Sequence, residues 1–241
     1  MLPRVLEKEV MDTEQEAQQY DEMDFAAVNA LFVDQLFEFA NSIEGFDGEL
    51  GDVMDLGTGT ALIPIELCKR HEDCRVMAVD MAASMLDLAL FNVQVNLLNE
   101  RITLTQLDAK DLIFEDEMFD VSICNSLIHH LPKPALALGE IARVTRPDGI
   151  IFVRDLLRPA DEPMLDHLVE TYVSQESEYS QKMFRDSLHA SLTLEEMKEI
   201  VVKLGFAAET VSATSDRHWT CLLYTSPSPR DATLSRMPSS A

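Results

Sequence analysis

The sequence predicts a doubly wound α/β domain, a mostly parallel sheet with helices on both faces, and three observations carry that reading. Apolar runs of strand length alternate with longer runs at helical spacing. The first of these strands turns through two glycines into a helix. Polar residues collect at the C-terminal ends of the apolar runs, the edge at which such sheets bind ligands.

Residues 12–22 are polar, and the stretch runs on through Tyr20-Asp21-Glu22-Met23-Asp24. Val28, Leu31, Phe32, Leu36, Phe39 and Ile43 then recur at helical spacing, which predicts a helix from Phe25 to Ile43 with Asp24 as its N-cap. Gly45, Gly48 and Gly51 break it. The run from Val53 to Leu56 is the first strand, and the next helix covers Leu62 to Cys68. Strands follow at Arg75 to Asp80, Ile102 to Leu107 and Phe119 to Cys124, with helices at Ala82 to Leu98 and Pro134 to Val144. Pro147-Asp148-Gly149 reads as a turn before a fifth strand from Ile150 to Asp155. Residues 156–192 are charged and partly helical, and they read as an insertion lying over the sheet edge. Thr193 and Glu196 form a capping box for a helix that Gly205 stops. Ala208 to Ala213 is the candidate sixth strand.

Composition limits the partners. With 19 basic against 43 acidic residues the formal charge is −24, which repels polyanions and argues against nucleic acid. No apolar run approaches the ~20 residues of a membrane span, and the first residues lack a signal-peptide pattern, so a cytoplasmic protein is expected. The four cysteines form no disulfide-type framework. Cys68, His71 and Cys74 have a spacing that invites a metal reading, but they straddle a helix end with no fourth ligand nearby, and no metal is expected.

Residues 1–220 thus read as one domain, with 1–44 an N-terminal helical segment and 156–192 the insertion. Residues 221–241 differ in kind. The run from Cys221 to Asp231, CLLYTSPSPRD, closely resembles a translated sequencing-library adapter, so the tail reads as foreign and the last strand as clipped near Thr220. Leu222 to Thr225 could stand in for the missing strand, because Trp219 to Tyr224 has strand-like composition.

The chemistry centres on Asp55-Leu56-Gly57-Thr58-Gly59-Thr60-Ala61. A dinucleotide fingerprint requires a third glycine at position 62, which is Leu, and the carboxylate of Asp55 would repel a pyrophosphate. A cofactor bearing positive charge fits better.

Asp55-x-Gly57-x-Gly59-x-Ala61, the acid Asp80 closing the second strand, Asp108 after the third, and Phe119-Asp120 opening the fourth resemble the class I S-adenosylmethionine-dependent methyltransferases. Asn125 to Pro132 and the run from Arg143 to Gly149 look like the small-molecule branch related to quinone biosynthesis. The resemblance covers Tyr20 to Thr220 and implies a Rossmann-like fold with S-adenosyl-L-methionine as cofactor. It implies that Gly57, Thr58 and Gly59 hold the methionine part, that Asp80 with Met81 binds the ribose, and that Asp108 with Ala109 contacts the adenine. Asp55 would complement the cofactor's charge, Asn125 would line the pocket, and Tyr20 would close over it. Ala61 stands where the family often has a third glycine.

His129, His130 and His189 are the candidate general bases for an acceptor that must lose a proton. Arg154, Asp155 and Arg158 also gather at the fifth strand's end. The expected activity is methyl transfer to a small-molecule acceptor. The alternatives are a non-catalytic cofactor-binding or regulatory protein and, requiring the glycine that Leu62 replaces, a nicotinamide-dependent oxidoreductase.

Overall fold

The computed structural model describes residues 2–7, 12–21 and 25–225. Seven strands form one sheet: β1 (Asp52–Leu56), β2 (Arg75–Asp80), β3 (Ile102–Gln106), β4 (Phe119–Asn125), β5 (Thr145–Leu156), β6 (Val211–Ala213) and β7 (His218–Tyr224). Their order is β3-β2-β1-β4-β5-β7-β6. The first five pair in parallel, while β7 runs antiparallel to both β5 and β6. The order reverses between β1 and β4, and such a switch point opens a crevice at the strands' C-terminal ends.

The helices are α1 (Glu14–Asp21), α2 (Ala26–Ser42), α3 (Leu62–Arg70), α4 (Ala83–Val95), α5 (Pro134–Val144), α6 (Glu162–Val173), α7 (Glu178–Ala190) and α8 (Leu194–Lys203). Two apolar layers sandwich the sheet. On one face Phe32, Leu36 and Ala40 of α2, Ile65 and Leu67 of α3, and Ala89 and Val93 of α4 pack against Val53, Val76, Ile123 and Phe152. Phe32 meets Phe152 edge to face, ring centroids 4.8 Å apart. On the other face Leu138 and Ile141 of α5 and Met197 and Val201 of α8 pack against Met54, Cys124, Val153 and Trp219. Strands buried on both sides are mostly apolar, which is why β1, β2 and β4 stand out in the sequence.

Helix α1 falls within the expected N-terminal helical segment, where Ala17 packs against Ala82 and Met85. Phe25, with no side-chain cap bond, precedes α2, and Asp24 lies outside the described residues. The turn at 147–149 is a looped-out irregularity inside β5, across which the register with β4 jumps from Phe119↔Thr145 to Val121↔Ile150. A Cβ on Gly149 would sit 2.8 Å from the carbonyl oxygens of Arg146 and Asp120, so only glycine fits this bulge. Finally, the sheet has its full complement of strands where clipping is expected. β7 pairs with β5 from Ile150↔Tyr224 to Leu156↔His218, and Thr225 anchors its end by accepting from the Gly149 N–H at 2.9 Å and donating to the Arg146 carbonyl at 2.6 Å. Apolar Leu222 and Leu223 satisfy the two faces of the sheet, as that place requires.

The insertion comprises α6 and α7, whose Leu165, Leu168 and Leu188 close on Leu156 and on Leu2 from the N-terminal segment. That segment is threaded between elements by backbone bonds from Leu2 N–H to Ala160 O and from Val5 N–H to His189 O, both 3.1 Å.

Candidate cofactor and acceptor site

The five-residue turn between β1 and α3 takes left-handed backbone at Gly57 (φ +77°) and Gly59 (φ +55°). Gly57 is needed twice over, since a Cβ there would lie 2.9 Å from the Leu127 side chain. Ala61 takes the third left-handed position (φ +61°) and opens α3. The N–H groups of this turn are turned inward. Those of Gly57 and Thr58 donate to Val79 O at 2.8 and 2.9 Å, and that of Gly59 donates to Asp80 Oδ2 at 2.8 Å. A turn whose amides are engaged in this way makes a poor phosphate cradle, which strengthens the case against a dinucleotide.

Below the turn, Asp55 is buried, and burial pushes its carboxyl up to about 7, with Thr58 pulling against the shift and the charge of Asp80 adding to it. Its Oδ2 has no hydrogen-bond partner, nor do the buried Thr58 and Thr60 hydroxyls. An unpaired buried carboxylate is costly, so this is a place prepared for a cation or donor.

Asp80 closes β2 with Oδ1 accepting from Ala82 N–H at 2.9 Å and Oδ2 from Gly59 N–H. A carboxylate has about four acceptor sites, so each oxygen keeps capacity for a ligand hydroxyl. Burial raises its pKa, with the N–H groups of Ala82, Gly59 and Met81 working the other way. Asp108 is more open; burial opposes its ionisation, but the Lys110 N–H at 2.9 Å and ammonium at 3.0 Å hold its pKa below the ordinary value. These acids share one pocket with Gly57, Gly59, Met81, Ala109, Asn125, Leu127 and His130. Asp55 and Thr58 lie beneath that wall, and the side chain of Tyr20 is outside what the structure describes.

Of the three histidines, only His130 reaches the pocket wall. His129, beside it in a 3-10 turn (Ile128–His130), is buried and gives Nδ1 to Asp155 Oδ1 at 2.5 Å while its backbone N–H donates to Asp155 Oδ2 at 3.1 Å. Burial disfavours its charge, but Asp155 and Glu7 prevail and raise its pKa. His189 is on α7, its Nε2 3.9 Å from Glu162 Oε1 and its Nδ1 buried without a hydrogen bond. Arg154 bonds Gln35, and Arg158 bonds Glu196 Oε1 at 2.6 Å, so both brace elements and neither lines the pocket. Glu7 and Arg4, which no motif singles out, arrive here from the N-terminal segment. Arg4 donates to the carbonyls of His129 and Leu131, each at 3.1 Å. At Cys68, His71 and Cys74 the backbone carbonyls converge on the Arg101 guanidinium, a fixed cation where the spacing suggests a metal.

A model of the methyltransferase domain matches residues 54–153, the stretch that carries the glycine turn, Asp80, Asp108 and Asn125. Residues 54–153 thus carry a methyltransferase domain, on the fold of the class I S-adenosylmethionine-dependent enzymes. This methyltransferase is 27% identical over 165 residues to a demethylmenaquinone methyltransferase of Porphyromonas gingivalis, covering 64% of this chain and 67% of the relative. It is 37% identical over 101 residues to a ubiquinone/menaquinone biosynthesis C-methyltransferase of Bdellovibrio bacteriovorus, covering 42% of each. Across the curated relatives the match spans from 30% to 67% of the relative's length. The fold is shared with an S-adenosylmethionine-dependent methyltransferase structure from Methanococcus maripaludis (TM-score 0.65, 19% identity, 92% of this chain and 97% of that one). It is shared also with a plantazolicin methyltransferase in complex with SAH, the demethylated cofactor (TM-score 0.68, 16% identity, 87% and 88%). The residues present fit S-adenosylmethionine. The carboxylates of Asp80 and Asp108, with acceptor capacity to spare, stand on one pocket with Gly57 and Gly59, and the buried Asp55 Oδ2 beneath them has no hydrogen-bond partner.

Proposed function

We propose that this chain transfers a methyl group from S-adenosylmethionine to a small organic acceptor by in-line displacement. The single observation behind this reading is the convergence of the glycine turn, Asp80, Asp108 and Asn125 on one pocket at the sheet's switch point. When bound, S-adenosylmethionine supplies an electrophilic methyl on a positively charged sulfur. Asp80 would receive the ribose hydroxyls, Asp108 the adenine amino group, and Asp55 would balance the positive charge through the turn. Because the leaving group is already activated, positioning supplies most of the rate, and good alignment is worth ~7–11 kcal/mol.

A small acceptor is supported by the names of the quinone-type relatives and by the charge of −24, which disfavours nucleic acid. Among the described residues no helix is long and apolar enough to cross a membrane. Four free, buried cysteines support a reducing, cytoplasmic setting. Incubation with cofactor labelled in its methyl group and a small-molecule extract, followed by mass spectrometry, tests the reading. A labelled product supports it; cofactor binding without transfer to any component would favour a regulatory protein instead.

A further inference from the structure

Where the N-terminal segment crosses the 3-10 turn, three metal-ligating atoms meet. Glu7 Oε1 lies 3.4 Å from His129 Nε2 and 3.2 Å from His130 Nδ1, and all three atoms fall within 4.8 Å of one another. It is the only such group among the described residues. We propose that Glu7, His129 and His130 form a binding site for a divalent transition metal, with zinc the best match.

The chemistry of the donor set supports it. Two imidazoles and one carboxylate are the ligands of a known class of catalytic zinc site, which keeps a fourth position for water or substrate. Ligand atoms ~2.0–2.2 Å from a tetrahedral ion stand about 3.3–3.5 Å apart, close to the two separations from Glu7. The buried Glu7 Oε1 faces both ring nitrogens at ion-pair distance, so one carboxylate oxygen already gathers the two imidazoles. The imidazoles, centroids 4.1 Å apart and tilted by 34°, bring their edges toward the same carboxylate.

The surroundings add the partner that metal-bound histidines usually have. Asp155 takes the other ring nitrogen of His129 at 2.5 Å, which fixes the ring and leaves Nε2 directed at the site. With both imidazoles neutral, Glu7 and Asp155 carry two negative charges against the one positive charge of Arg4, whose guanidinium is engaged by the carbonyls of His129, Leu131 and Ala190. Ser187 Oγ contacts Glu7 Oε2 at 3.4 Å, and Asp186 adds a further negative charge nearby. A dication would offset the negative charge gathered at the cluster. Because His130 also lines the cofactor pocket, an ion held here stands one side chain from the place where the acceptor must sit. Its role in acceptor activation rests on the methyltransferase reading; its existence does not.

The test is titration of metal-free, full-length protein with Zn²⁺ by calorimetry and with Co²⁺ by visible absorption. One equivalent should bind, with the intense absorption of a four-coordinate Co²⁺ centre. Glu7→Gln and His130→Ala should each weaken binding at least tenfold, while the exposed His167→Ala leaves it unchanged. Circular dichroism verifies that each variant is folded, and binding of S-adenosylhomocysteine does so again for Glu7→Gln, which lies off the cofactor pocket. Absence of saturable binding, or binding indifferent to both Glu7→Gln and His130→Ala, overturns the site. Either result stands apart from the cofactor reading, because S-adenosylhomocysteine binding is measured without metal.

Discussion

Replacing Asp55 by Asn removes the one ionisable group beneath the glycine turn while keeping its shape. Burial holds the folded acid at about 7 against an ordinary 3.8, so folding favours the neutral form. The sign follows. Stability attributable to Asp55 is full below pH ~3.8, declines as the unfolded chain ionises and the folded one does not, and is flat above pH ~7. At ~1.36 kcal/mol per pH unit the ionised acid costs the cofactor-free protein about 4 kcal/mol. Asn carries no such cost, and all other titrations are common to both proteins. Urea unfolding without cofactor should therefore find the variant more stable, with a gap that widens by roughly 2–3 kcal/mol between pH 5 and pH 8. The cofactor should reverse the ranking at pH 8, since the cationic ligand needs the carboxylate: wild-type affinity rises with pH, and that of Asp55→Asn is lower and flat. A stability gap independent of pH would refute the reasoning about burial. Equal cofactor affinity in both proteins would refute the charge role.

Gly57→Ala introduces a Cβ 2.9 Å from Leu127 at φ +77°; the left-handed backbone alone costs ~1–2 kcal/mol, and both stability and S-adenosylhomocysteine affinity should fall. Thr193→Ala removes the capping box of α8 and should lower stability by ~1 kcal/mol in urea unfolding without changing cofactor affinity. Trp219→Ala empties the largest fully buried side chain from β7 and should cost ~3–5 kcal/mol, seen as a large fall in melting temperature; a shift of a degree or less would mean that β7 is not packed as described.

The central strands could be read from sequence because parallel strands covered on both faces are mostly apolar, with Asp55 in β1 and Ser122 in β4 as buried polar exceptions. Thr193 and Glu196 were equally plain, since a capping box is a local arrangement. Helix α1 could be placed only coarsely, within a helical segment over 1–44, because its sequence carries no apolar stripe; among its described side chains Ala17 is the buried one. At the site, the acids Asp80 and Asp108 were visible as residues closing strands, whereas the engagement of the turn's amides with Val79 and Asp80 depends on distances between elements. The adjacent histidines illustrate the limit best. A 3-10 turn sends His129 toward Asp155 and His130 to the pocket, and nothing in two identical side chains distinguishes them. Glu7 and Arg4 meet them through backbone bonds of the segment at residues 2–7, a tertiary arrangement with no periodic signature.

Calorimetry with S-adenosylhomocysteine, comparing wild type and Asp80→Ala, tests the central claim most directly. The account predicts one binding site in the wild type and at least a tenfold weaker one in the variant, the loss expected for charge-assisted hydrogen bonds worth ~1.5–3 kcal/mol. No heat of binding at high micromolar concentration, or an affinity unchanged by Asp80→Ala, would contradict it.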